Sequence, residues 1–202
     1  AAAACGTNAP AAIPFQPTNA EVAEFLSFDP ETVDSYEIGY KGNLFGGALY
    51  VAAAAFYADY TDVQIPGSVA CTVLVGGVAT PSFCGVVSNA GKATFKGLEL
   101  EATARLGAGF TLSGALGYID AQYDEFVANI AARPTDVADF REVQNTPEFT
   151  GNITANYATA LGEGELNLNA GVSYRSKTFQ FEVPNPFLDQ EGYALLDASI
   201  SY

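Results

Sequence analysis

The sequence predicts an all-β, antiparallel fold whose strands, about seven of them, form a segment of a transmembrane β-barrel. Three observations carry this. Several stretches alternate between apolar and polar residues with a strict period of two, as a strand does when its two faces meet different environments. The connections between those stretches alternate between short and long. Gly, Tyr, Phe, Thr, Asn and Ser are plentiful while Met, Trp and His are absent, a mixture that suits strands and turns better than helices.

The Pro- and Ala-rich opening, residues 1–33, has no sustained period and reads as an extracellular loop segment; residues 34–202 read as a partial barrel domain. In the first strand, 34–43, Tyr36, Ile38 and Tyr40 oppose Glu37, Gly39 and Lys41. A Gly-rich turn at 44–47 leads to a second strand, 48–65, whose run of Ala52 to Ala55 also suits a helix locally; Tyr57, Tyr60 and Val63 favour the strand. Residues 66–90 read as a long loop. The cleanest alternation is 91–106, where Leu98, Leu100, Ala102, Ala104 and Leu106 oppose Glu99, Glu101, Thr103 and Arg105. A tight turn at 107–109 opens the strand 110–123, and a second long loop covers 124–145. The strand 146–160 sets Phe149, Ile153, Ala155 and Tyr157 against Glu148, Thr150, Asn152, Thr154 and Asn156. After a turn at 161–164, the strand 165–177 sets Leu166, Leu168, Ala170, Val172 and Tyr174 against Glu165, Asn167, Asn169, Ser173 and Arg175. A third loop, 178–191, precedes the strand 192–202.

Outer-membrane barrels place tight turns on the periplasmic side and long loops outside, which matches this spacing. One strand face carries Leu, Ile, Val and Ala with Tyr or Phe near the ends, as lipid contact requires; the other carries groups that are costly in lipid and comfortable beside lumenal water. The strands also exceed the ~5–6 residues usual in soluble proteins. Open sheet edges in lipid leave backbone groups without partners, so seven strands alone do not close a barrel. With no Met and no signal peptide, the chain is expected to be a piece of a longer one, completed by the rest of its polypeptide or by copies of itself.

A balance of 8 basic to 23 acidic residues, net −15, makes nucleic acid a poor partner. Cys71 and Cys84 bracket the first long loop and suit a disulfide in an oxidising compartment, although two free thiols would give the same sequence; Cys5 is left over. No cofactor or metal site is expected, since there is no His and no close Cys pair. Asp120, Asp124 and Glu125 could offer oxygens to Ca²⁺ at a strand exit, but their spacing lacks a calcium-loop pattern and a solvated loop is the plainer reading. Nothing supports an enzyme: there is no Gly-x-Ser-x-Gly elbow and no activated Cys arrangement.

Several segments, in order, resemble the late barrel of TonB-dependent receptors. They are PETVDSYEIGYK at 30–41, AAFYADYTDVQI at 54–65, NAGKATFKGLELE at 89–101, FTLSGALGYIDAQYDEF at 110–126, TPEF at 146–149 and YALLDASISY at 193–202. The resemblance implies a larger barrel of about 22 strands with an N-terminal plug. It further implies a Gram-negative outer-membrane location and import of a scarce nutrient (siderophore-iron, cobalamin or carbohydrate) energised by the TonB complex. The expected partners are therefore outer-membrane lipid, the remainder of the barrel and its plug, the TonB complex through the missing N-terminal part, and an unidentified ligand. Two other readings stay open: a structural fragment that self-associates through its strand edges, and a passive outer-membrane pore.

Among individual residues, Glu37, Lys41, Glu99, Glu101, Arg105, Glu148, Glu165 and Arg175 fall on the polar strand faces and are candidates for a substrate path or plug contacts. Simple solvation of the interior and cross-strand pairing is the plainer account of each. Tyr57, Tyr60, Tyr118, Tyr123 and Phe126 could stack on a ligand or form an interfacial girdle.

Overall fold

The computed structural model describes residues 28–89, 91–130 and 133–202, without the side chains of 67–71, 74, 86 and 129. Of the expected loop at 1–33, residues 1–27 lie outside the described residues, and Thr32 and Val33 belong to the first strand. Ten strands are described: β1 (Thr32–Leu44), β2 (Leu49–Thr61), β3 (Gln64–Val75), β4 (Val78–Asn89), β5 (Gly91–Gly107), β6 (Phe110–Ile130), β7 (Arg133–Asp136), β8 (Phe149–Leu161), β9 (Gly164–Arg175) and β10 (Tyr193–Ser201). Seven form one antiparallel path, β1-β2-β5-β6-β8-β9-β10, with β7 paired to β6; β3 and β4 form a separate two-stranded sheet. Among the described residues no helix is long and apolar enough to cross a membrane.

By internal packing the chain divides into two units. One comprises Val33–Asp59 and Ala93–Tyr202; the other holds the described residues up to Thr32 together with Tyr60–Lys92.

In the larger unit the seven expected strands are all present, each in the expected order. Register explains why their alternation was so clean. Thr111, Asn156, Asn169 and Ser199 stand opposite one another across four strands, as do Leu112, Ala155, Ala170 and Ala198. Each row is therefore polar or apolar throughout, and a one-residue slip of any strand would exchange them. Three short turns join β1 to β2, β5 to β6 and β8 to β9. At the second, Gly109 has φ +79°, and a Cβ there would lie 1.8 Å from the Ala158 carbonyl oxygen, so only glycine fits.

Several boundaries differ from expectation. The second strand stops at Thr61 rather than residue 65, because Asp62 takes the left-handed conformation (φ 57°) and breaks the ladder. The strand expected from 146 begins at Phe149, after Pro147, which has no N–H to give to a ladder. The strand expected to end at 177 ends at Arg175. The expected loop 124–145 is partly strand: β6 continues to Ile130 and folds back as β7, with Val127 opposite Asp136.

The smaller unit holds the largest correction. The stretch expected to be a loop, 66–90, is a hairpin in which β3 and β4 pair from Gln64↔Asn89 to Val75↔Val78. Its turn is Gly76-Gly77, with φ +62° and +82°, the two positive values that a tight two-residue hairpin turn requires. The hairpin base is tied by Asn89. Its side chain donates to the carbonyls of Asp62 (2.7 Å) and Asp29 (2.9 Å) and accepts from the Asp29 N–H (2.7 Å). The Gln64 N–H donates to Glu31 (2.8 Å), and Val63 N–H to the Gly91 carbonyl (3.0 Å).

Candidate functional site

The larger unit offers one polar and one apolar sheet surface, and the polar one gathers the candidates. Odd residues of β1 and β5 and even residues of β8 reach a common cavity of about 570 Å³. Glu37 and Lys41 from β1, Glu99 and Glu101 from β5, Thr150 and Asn152 from β8 and Ser173 from β9 line it. The floor is low because Gly39, Ala115 and Gly117 carry little or no side chain there. Among the described residues the side chains of Glu37, Lys41, Glu99 and Glu101 form no hydrogen bond or ion pair. All four are exposed. Three carboxylates and one ammonium around an open hollow are chemically suited to a polar or cationic group; they make no catalytic constellation.

The other four candidates lie outside the cavity. At the short-turn end, the Arg105 guanidinium donates to the Gly47 carbonyl (3.3 Å), and Glu165 accepts from Asn167 (2.9 Å). At the opposite end Arg175 donates to the Asn145 carbonyl (3.2 Å), while its Nε is buried with no partner among the described residues. Glu148 is exposed just ahead of β8, where its carbonyl accepts the Ile119 N–H (2.9 Å).

The apolar surface ends in a recognisable boundary. Tyr118 packs on Phe149 across the β6–β8 pair, with ring centroids 4.9 Å apart. One step further along the same face, Lys96 pairs with Asp120 at 3.1 Å, and Thr94 donates to Asp124, which also accepts from Gln122 (2.9 Å). Asp120 and Asp124 are thus engaged by a cation and by neutral donors, and no group of three or more metal-ligating side chains occurs among the described residues. Phe110 and Tyr157, opposite one another, mark the other end of the face. The eight-residue interval from Phe110 to Tyr118 spans about 26 Å along the strand, or about 20 Å along the membrane normal at a tilt near 40°. With the outward reach of the rings this approaches the ~25 Å apolar band of outer-membrane barrels.

Beyond that band the long connections are knitted together. Asp136 accepts from the N–H groups of Phe126 (3.0 Å) and Ala138 (3.1 Å), and these bonds hold its carboxyl below the usual carboxylate range against the opposing effect of desolvation. Tyr123 meets Phe126 edge-on at 5.0 Å, and Arg141 sits 5.3 Å over the Phe126 ring. Residues 142–145 run beside 179–182: the Glu142 N–H donates to the Glu182 carbonyl, Asn145 N–H to that of Phe179, and the Gln144 amide to the Glu182 carboxylate. Asp189, with a side chain only 2% exposed, accepts from Asn185 N–H (3.0 Å) and faces Lys177 at 3.9 Å. The aromatic candidates Tyr118, Tyr123 and Phe126 therefore pack on one another and on their neighbours. Sequence reasoning missed Asp136, Arg141, Lys177 and Asp189; of these only Asp136, two residues before Ala138, sits in a recognisable Asx-turn spacing.

The two paired cysteine candidates fall on the hairpin. Cys84 is disulfide-bonded. Cys71 lies on the facing strand opposite Ser82, two register positions from Cys84; its side chain lies outside the described residues, as does Cys5.

Comparison with known proteins follows the same outline. The profile of the family described as "TonB dependent receptor-like, beta-barrel" matches residues 6–202. The metal-pseudopaline receptor CntO of Pseudomonas aeruginosa is 27% identical over 143 residues, which is 71% of this chain and 17% of that receptor. Among solved structures, the ferric yersiniabactin uptake receptor FyuA of Yersinia pestis superposes with TM-score 0.59 and 22% identity, covering 84% of this chain and 22% of that one. The siderophore receptor PiuA of Acinetobacter baumannii gives 0.62 and 19%, covering 85% and 22%. The chain thus spans less than a quarter of the length of each.

Proposed function

The chain belongs to the TonB-dependent receptor family, as part of its outer-membrane β-barrel domain in a Gram-negative bacterium, and from that premise we propose that its parent receptor imports a metal chelate with energy supplied by the TonB complex. The observation that carries this reading is the two-faced sheet, whose polar side holds uncompensated charges around a cavity and whose apolar side is a lipid band. In the parent, Glu37, Lys41, Glu99 and Glu101 face the lumen and contact the plug or the passing ligand. Arg105 and Glu165 sit near the periplasmic rim, and Arg175 and Glu148 near the outer one. The buried Nε of Arg175 is met there by an acceptor from the remaining barrel or plug, because a buried donor left unpaired costs about 1–3 kcal/mol.

The chelate class is favoured over cobalamin and carbohydrate by what the similar proteins are named for: metal-pseudopaline, ferric yersiniabactin and siderophore. The edges of the sheet path, β1 and β10, are exposed over nearly their whole length and await neighbouring strands of the same barrel. The chain ahead of β1, which begins at Thr32, is in this reading extracellular.

Uptake of radiolabelled ferric siderophore complexes, cobalamin and an oligosaccharide by cells with and without the intact gene tests the proposal. Chelate uptake that requires both this gene and an active TonB complex supports it. Uptake of small sugars without preference, unchanged when TonB is inactive, would establish a passive pore instead.

A further inference from the structure

The apolar face of the sheet is not smooth. Gly114 on β6 and Gly151 on β8 leave it without side chains at two neighbouring points, Gly114 opposite Ile153 and Gly151 opposite Leu116. These two points lie in an open hollow of about 910 Å³, walled by Leu112, Leu116, Ile153 and Val172 and bounded at one end by Tyr118 and Phe149. That volume lies within the ~300–1,000 Å³ typical of small-molecule sites, although it opens on the face that the family places in lipid. Immediately beyond the two aromatic rings the same face carries the Lys96–Asp120 pair and the Thr94–Asp124 hydrogen bond. The surface is therefore graded: apolar through the hollow, aromatic at its mouth, charged and hydrogen-bonding above. A fatty-acyl amphiphile has the same order of properties from tail to head.

We propose that the hollow is a fixed binding site for one acyl chain of an outer-membrane lipid, with the lipid head at the level of Lys96 and Asp120. Lipid is the occupant because the chain is part of an outer-membrane barrel and this is its apolar face. The glycines matter because a mobile annular lipid slides over a convex row of leucines, whereas a chain lodged between Leu116 and Ile153 touches protein on several sides. The site is independent of which nutrient the receptor carries.

The test uses the full-length receptor, purified in mild detergent, with a spin-labelled stearoyl phospholipid as probe and fatty-acid analysis of what co-purifies. Gly151→Leu fills the hollow, and the substitution is tolerable because the first added carbon meets the flexible end of Leu116 at 2.9 Å and the Ala115 carbonyl oxygen at an ordinary contact distance of 3.5 Å. Gly114→Leu is unsuitable, since its Cβ would meet the Asn152 carbonyl oxygen at 2.8 Å. Ala198→Leu, on the same face but outside the hollow, is the control. The expected result is about one immobilised chain per wild-type barrel, at least a tenfold loss in Gly151→Leu and no change in Ala198→Leu. If Gly151→Leu fails to assemble, judged by heat-modifiable migration, Val172→Phe fills the hollow from the β9 wall and is expected to show the same loss. Equal lipid retention in all correctly assembled variants, or none in wild type, overturns the proposal. So does a receptor dimer that disappears on filling the hollow, which would assign this surface to a second copy.

Discussion

Replacing Ile153 by Arg, and separately Asn152 by Arg, places the same side chain one residue apart on β8. Ile153 stands midway between Phe149 and Tyr157, in a row with Val172 and Leu196. That row is the middle of the apolar band, and Ile153 itself is 47% exposed on the sheet surface, so a guanidinium there meets lipid. Arginine at the midplane of an outer-membrane barrel costs about 2–4 kcal/mol, or about 30- to 700-fold in the folding equilibrium. Asn152 lines the polar cavity beside Glu99 and Glu101, where a cation is solvated and faces carboxylates, so Asn152→Arg should change stability little. Reversible unfolding of the full-length barrel in phospholipid vesicles, followed in denaturant, measures both. The expected difference between the two variants is at least about 2 kcal/mol, with Ile153→Arg the less stable. Equal stability of the two would refute the assignment of faces.

Other expectations follow from the connections. Asn89→Ala removes the three hydrogen bonds at the hairpin base; at the low end of about 0.5–1.5 kcal/mol each for exposed bonds, the loss is about 1.5 kcal/mol. It should appear as faster amide exchange over β3 and β4 with the main sheet unchanged. Asp136 has a folded pKa below its unfolded value, so the stability it contributes is present above the unfolded pKa, near 4, and is lost as pH falls through the lower folded one. Protection of the Phe126 and Ala138 amides, relative to the intrinsic exchange rate at each pH, should fall over that acid range in wild type, and Asp136→Asn should flatten the dependence. The bond at Cys84 should map to Cys71 in a non-reducing peptide digest, the pairing that staples the hairpin within itself; a Cys5–Cys84 peptide would reject it.

The sequence was legible where the environment is two-sided. Along 98–106 and 166–174 lipid on one face and water on the other dictate every second residue, and the period survives in the primary structure as Leu-Glu-Leu-Glu or Leu-Asn-Leu-Asn. The β3–β4 hairpin lacks such a contrast: no charged residue occurs between Val63 and Gly91, so its alternation is faint. Its signal is instead the Val-Gly-Gly-Val turn at 75–78, a two-residue hairpin loop. The polar-face candidates are legible by face, which is a local property. Their division into a central cavity of Glu37, Lys41, Glu99 and Glu101 and two rims was not, since it depends on register between strands far apart in sequence. The outer layer was invisible for the same reason: Gln144 meets Glu182, and Lys177 meets Asp189, through loops that carry no period.

The placement of the two sheet faces is tested most directly by site-directed spin labelling of β8, one cysteine at a time from residue 149 to 157, in the full-length receptor in lipid. Collision with oxygen, which concentrates in the bilayer, and with a water-soluble nickel chelate reports the surroundings of each position. A lipid-facing strand gives a strict alternation, with 149, 151, 153, 155 and 157 reached by oxygen and 150, 152, 154 and 156 by the chelate. A uniform profile, or a period near 3.6, would contradict a lipid-facing barrel strand and with it the functional reading built on that strand.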